Sequence, residues 1–262
     1  MSWASRRRAT YLGGVLLFFA LVIGIPVAQY FLSAKPTCFD GIQNQGETAP
    51  DEGGPCQKLD PSQLSSYAVL WERSFQVRPG NYTSVAYIVN PNASAGISAV
   101  HYQFGLYDSD NVLVAQRDGE TYLMPGGITP VLETNIDTGN RIAVHTYFQI
   151  TDAVQDWERM QNPAASIAIT DRQVSNSNGI PRITATAENT SFVPLSGVRF
   201  VVVVFDPNGN AIASSGTALS SLAPNDPQQI TFTWPQGIGG TVGRVDITAL
   251  LPPRSAPAQV GQ

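Results

Sequence analysis

The run from Tyr11 to Leu32 constrains this chain more than any other stretch. It reads YLGGVLLFFALVIGIPVAQYFL, without a charge and with Gln29 as its strongly polar exception. A helix needs about 20 apolar residues to cross a hydrocarbon core of roughly 30 Å, so a transmembrane helix is predicted over 10–33. Arg6, Arg7 and Arg8 precede the run and Lys35 is the nearby base after it. The positive-inside rule therefore predicts a cytoplasmic stub over 1–9 and an extracytoplasmic remainder, anchored by a single pass in the plasma membrane. A cleaved signal peptide competes with this reading, but its apolar core spans only about 7–15 residues before a small-residue site. Here the run continues through Gln29-Tyr30-Phe31-Leu32, and only Ser33-Ala34 offers small residues. Pro26 is tolerated near the outer end because a freed carbonyl in a membrane helix finds other partners.

Beyond the helix lie twelve basic against twenty acidic residues, a net charge of −8. Such a surface is a poor match to nucleic acid or anionic lipid, which need basic patches. Charged residues make up only 13% of the chain, and Gly, Pro, Ser, Thr, Asn and Val recur throughout. That mixture predicts an all-β exported protein with many turns. The extent beyond the helix suits two small domains rather than one.

Cys38 and Cys56 are the two cysteines. With no third thiol to compete and an oxidising compartment expected, they are predicted to form a disulfide. The segment they bracket has almost nothing apolar to bury. Asp40, Asn44, Glu47, Asp51 and Glu52 crowd oxygen-bearing side chains into it, and hard cations take six to eight such ligands. Asp40, Asn44, Glu47 and Asp51 are thus candidate calcium ligands, although Ile42 breaks the EF-hand spacing. The alternative is a solvated acidic spacer over 34–64 pinned by one disulfide. Cys38, Asp40, Gly41, Asn44, Glu47, Asp51, Gly53, Gly54 and Cys56 resemble a cysteine-framed motif of exported bacterial proteins, C-x-D-G-x-x-N-x-x-E-x-x-x-D-C-G-G-x-C. Glu52 stands at its internal cysteine. The resemblance implies an envelope protein and no particular activity.

From Tyr67 onward, short β-branched and aromatic runs alternate with turn signals. Strands are predicted at 68–77, 84–90, 99–107, 112–116, 131–136 and 142–150, then at 166–174, 182–188, 198–205, 211–215, 229–234 and 244–250. Their spacing and Gly/Pro/Asn punctuation predict two tandem β-sandwiches, over 65–161 and 162–251. One or two helical turns are predicted around 152–160, within TDAVQDWERM (151–160), and a disordered tail over 252–262. The two domains read as a duplication. Tyr107-Asp108 corresponds to Phe205-Asp206, Leu123-Met124-Pro125-Gly126 to Leu222-Ala223-Pro224-Asn225, and Asn90 to Asn189, at offsets of 98 to 99 residues.

Phe104-Gly105-Leu106-Tyr107-Asp108 spells F-x-L-Y-D, and the first copy resembles the FxLYD family of immunoglobulin-like domains in exported bacterial proteins. The second copy, Val202 to Asp206, lacks the initial Phe. The resemblance implies an immunoglobulin-like sandwich and an envelope location, with no catalytic residue to carry over. Asp108 and Asp206 read as turn residues whose carboxylates can accept backbone N–H bonds.

The second copy carries one anomaly. Val198, Phe200, Val202 and Val204 form its inward set, yet Val201, Val203 and Phe205 make the opposite face apolar too. Each of these three is worth roughly 1.5–3 kcal/mol if buried. Either strands or a loop of the same domain cover them, or the face docks on the first domain or a partner protein. His101 and His145 fall in predicted strands, and the chain holds no nucleophile elbow, H-E-x-x-H, phosphate loop or dinucleotide fingerprint. The expected role is therefore non-catalytic: binding or scaffolding with an envelope protein partner. The alternative is a carbohydrate-binding or adhesion protein that uses exposed Trp71, Trp157 or Trp234.

Overall fold

A computed structural model describes residues 3–32, 37–177 and 180–256. Helix α1 spans Trp3–Leu32, and its segment Arg7–Gln29 is long and apolar enough to cross a membrane. No face of it is polar enough to suit a soluble surface, which fits a helix solvated by lipid.

The body is antiparallel β-sheet. Its strands in order are β1 (Ala68–Arg78), β2 (Asn81–Asn90), β3 (Ala95–Tyr107), β4 (Leu113–Leu123), β5 (Gly127–Asp137), β6 (His145–Ile150) and β7 (Glu158–Gln161). There follow β8 (Ile167–Ser177), β9 (Ile180–Asn189), β10 (Leu195–Phe205), β11 (Ala211–Leu222), β12 (Gln228–Thr233), β13 (Arg244–Leu250) and β14 (Arg254–Ser255). One sheet has the order β1-β2-β5; facing it, β3 pairs with β4 on one side and with β6 and β7 on the other. In the second half β8-β9-β12 faces β11-β10-β13. The pairing order thus recurs, and β1 and β8, β2 and β9, β6 and β13 each start 99 residues apart.

Period-two alternation builds the cores. Val100, Tyr102, Phe104 and Leu106 of β3 pack with Ala86 and Ile88 of β2 and Phe148 of β6. In the second half Phe200, Val202 and Val204 of β10 meet Ile183 and Ala185 of β9 and Ile230 and Phe232 of β12. The alternate residues of β2, Val85 and Tyr87, belong with Val201, Val203 and Phe205 of β10 to a continuous buried cluster. The four sheets therefore stack as layers, with β2 and β10 buried on both faces.

Two local expectations differ from what is found. The segment 152–160 is not helical: Trp157 is buried and the chain enters β7, because a backbone edge of β3 at Ala95 and Gly96 is free to pair with it. Local periodicity cannot register a long-range partner of this kind. In the tail, Arg254 and Ser255 pair with Gln161 and Met160 of β7, so the chain returns to the first half; residues 257–262 lie outside the described residues.

Candidate interaction surfaces and the disulfide loop

Cys38 and Cys56 are bonded, with their Cα atoms 5.5 Å apart. Inside the loop they close, acidic side chains are turned onto backbone N–H groups. The Asp51 carboxylate accepts from the N–H of Asp40 and of Gly41, each at 2.9 Å. Asp40 accepts from the N–H of Thr37 and Ile42 and from the Asn44 amide, and these bonds, Thr37 first, hold its carboxyl below the usual range. Glu47 is buried; its Oε2 accepts from the N–H of Asn44 and Asp51, and its Oε1 lies 3.0 Å from Cys56 Sγ. The structure therefore gathers Asp40, Asn44, Glu47 and Asp51 into one cradle, in which Asn44 Oδ1 is buried and unpartnered. Cys38, Glu47 and Cys56 also converge, but the sulfurs bond each other and offer no thiolate. Gly54 is required, since at φ +51° a Cβ would sit 2.8 Å from the Gly46 carbonyl oxygen.

The loop is docked on the body. Leu59 donates its N–H to the Trp157 carbonyl and Arg159 donates to that of Gln57, both at 2.8 Å, while Arg159 Nη2 reaches the Gly54 carbonyl at 2.8 Å. Lys58 pairs with Glu52 at 2.9 Å. Polar backbone groups of a loop with no apolar core are satisfied in this way by the edge of β7.

Val201, Val203 and Phe205 are 5%, 0% and 4% exposed, and the first half covers them. Trp71 of β1 packs edge-on against Phe205 with centroids 6.0 Å apart and stacks on Tyr87 at 4.5 Å. Arg73 Nη1 donates to the Ala211 carbonyl at 2.8 Å. Gly216 of β11 sits so close that a Cβ would lie 2.9 Å from Leu132 Cδ2. The complementary residues, Trp71, Val85, Tyr87 and Leu132, went unread in the sequence. The available signal was that β2 carries apolar residues in both registers. At the rim of this junction a cleft of about 360 Å³ is lined by Glu120, Thr121, Arg199 and Thr217 among others.

Equivalent turns use equivalent residues. Asp108 Oδ1 accepts from the N–H of Asp110 and Val112, and Asp206 Oδ1 from that of Asn208 and Asn210. Asn90 is buried and donates to the carbonyls of Ala95 and Met124; Asn189 is buried and donates to those of Val193 and Leu222. Of the tryptophans considered for sugar binding, Trp157 and Trp234 are buried and Trp71 is packed at the junction. His101 is exposed, with Nδ1 3.0 Å from Asp152 and Nε2 3.5 Å from Glu120. His145 is exposed beside Tyr107.

No family model and no curated protein matches the chain. Among solved structures, red sea bream transglutaminase is similar at 11% identity and a TM-score of 0.24, over 70% of this chain and 29% of that one. The exo-chitosanase CsxA of Amycolatopsis orientalis is similar at 13% identity and a TM-score of 0.20, over 64% of this chain and 25% of that one. The chain thus spans less than a third of either structure, and likeness at these scores bears on neither its family nor its activity.

Proposed function

We propose that this chain is a single-pass envelope protein that holds two immunoglobulin-like domains of FxLYD type outside the plasma membrane and works by binding or scaffolding. The N-terminus is cytoplasmic in this reading, and no residue is assigned to catalysis. The observation that carries it is continuity: an apolar helix leads to a disulfide loop hydrogen-bonded to β7, and the first half packs on the second through Trp71 and Phe205. Such a body presents fixed surfaces at a membrane, as a scaffold requires. The recurring strand order and the paired Asp and Asn residues support duplication of one domain.

The test is a pull-down of tagged full-length chain from native membranes after mild cross-linking. Specific recovery of envelope proteins is the expected result; empty recovery argues against scaffolding. Labelling of residues beyond the helix by a membrane-impermeant reagent in intact cells checks the orientation. Asp40, Asn44, Glu47 and Asp51 remain the proposed calcium ligands, with Asn44 Oδ1 as the open acceptor. Calcium added to chelated protein is then expected to raise Tm, and Asp51→Asn to remove the increment; an unchanged Tm dismisses calcium.

A further inference from the structure

The two outermost sheet faces differ in kind. On β9 and β12 the outward residues are ordinary polar ones, Thr184 and Thr186 opposite Thr231 and Gln229. On β3, β4 and β6 the outward face divides into an aromatic half and an amide half. Tyr107 folds its ring over Gly105, where a Cβ would lie 2.8 Å from Tyr107 Cε2. Tyr147, paired with Gly105 and 56% exposed, meets Tyr107 at 5.2 Å and nearly at right angles. In the next row on this face Gln149 donates to Gln103 at 3.1 Å and Gln103 to Asp118 at 2.8 Å, while Gln116, paired with Gly105 across from Tyr147, donates to Asp118 at 3.0 Å. Successive rows on one face of a strand lie roughly 7 Å apart, so the aromatic and amide rows are side by side.

This combination matches the chemistry of a sugar. A pyranose has an apolar C–H face, which suits the electron-rich face of a tyrosine ring, and a rim of hydroxyls that donate and accept, as amides do. The amide ladder holds its side chains in place before any ligand arrives, which lowers the entropy cost of binding. Other occupants fit less well. Strand addition would take place at the sheet edges, β4 and β6, and would leave the face that carries the tyrosines and amides unused. An anionic polymer would meet Asp118 and, one row further, Glu120.

We propose that the outward face of β3, β4 and β6 binds a neutral polysaccharide chain, with Tyr107 and Tyr147 as the stacking platform and Gln103, Gln116, Asp118 and Gln149 as hydroxyl partners. The proposal rests on the reading of the chain as a displayed binding body and names the ligand class. It is tested by native electrophoresis of the full-length protein in detergent through gels carrying hydroxyethylcellulose, glucomannan or glycol chitin, with heparin as the anionic control. Retardation by at least one neutral polymer and none by heparin is expected. Tyr147→Ala should weaken it about tenfold, as loss of an aromatic anchor does, and Gln103→Ala about threefold. Gly105→Ala, which pushes the Tyr107 ring aside, should act in the same direction. Failure of all three neutral polymers to retard the protein overturns the proposal, as does retardation that survives both Tyr147→Ala and Gly105→Ala. If Tyr147→Ala instead turns a dimer into a monomer in light scattering, the face is a self-interface and the proposal falls. Envelope proteins still recovered with the Tyr147→Ala chain, in the absence of any retardation, would remove this inference and leave the scaffolding reading standing.

Discussion

Asp108 and Asp206 each tie a turn together from its first residue, and their charge state carries a pH dependence. Both carboxyls are held below the ordinary range, Asp108 chiefly by the Val112 N–H and Asp206 chiefly by the Asn210 side chain followed by its N–H. With the folded pKa lowered, the unfolded chain binds the proton first. The stabilisation is therefore present above about pH 4 and is lost as pH falls through the folded value. Asp206→Asn is expected to flatten the acid limb of Tm against pH; an acid limb identical to that of the parent contradicts this. Asn189 presents a second residue-scale case, for its fully buried amide bridges two carbonyls. Replacing it with Ala takes this donor from the buried Leu222 carbonyl, while the Ser191 hydroxyl still reaches that of Val193 at 3.0 Å, and should cost about 1–3 kcal/mol in denaturant unfolding. Asn189 also begins a glycosylation sequon, Asn-Thr-Ser. Its burial predicts that a glycosylating host leaves it bare, which mass spectrometry would check. The turn role of the aspartates was legible because Asp precedes Asn-Gly or a similar step. The role of the asparagines was not, since one acceptor of each, the carbonyl of Met124 or of Leu222, lies more than thirty residues away.

At the scale of elements, β10 decides how the halves meet. Val203 is fully buried between Val201 and Phe205 of the same face, so Val203→Asp places an unpaired charge at the junction. A loss of about 3 kcal/mol or more is expected, together with a red shift of Trp71 emission as its stack on Tyr87 and Phe205 opens. A folded protein with unshifted emission would show that the junction stays closed around the charge, and would contradict this. The double substitution Val201→Lys with Val203→Glu should separate the halves in the same way, read as a gain in radius of gyration. The sequence showed that this face needs a cover but could not name it, because a hydrophobic strand face looks the same whichever apolar surface meets it. Strand interiors were readable from alternation. Strand ends were less so: β4 runs on through Arg117, Asp118, Gly119 and Glu120, whose polarity signals a turn locally but suits an exposed edge.

Taken whole, the molecule is knit together around β7. The disulfide loop, the start of β3 and the returning β14 all bond to this four-residue strand. Reduction of Cys38–Cys56 should lower stability by about 3 kcal/mol through the freed unfolded chain. It should also raise hydrogen exchange at Arg159, whose N–H is held by Gln57. Exchange at Arg159 unaltered by reduction would mean that the loop docks without help from its disulfide.

By itself the sequence determined the properties that depend on local composition and short-range pattern. These are a helix able to cross a membrane, an antiparallel β body, a single possible disulfide, and the turns at Asp108 and Asp206. Only the tertiary structure decided that the four sheets stack face to face, that the acidic loop is docked rather than free, and that Tyr107 and Tyr147 share an exposed face with an amide ladder. Each of these depends on residues far apart in the chain, and their proximity follows from strand pairing and layer order, which no local pattern encodes.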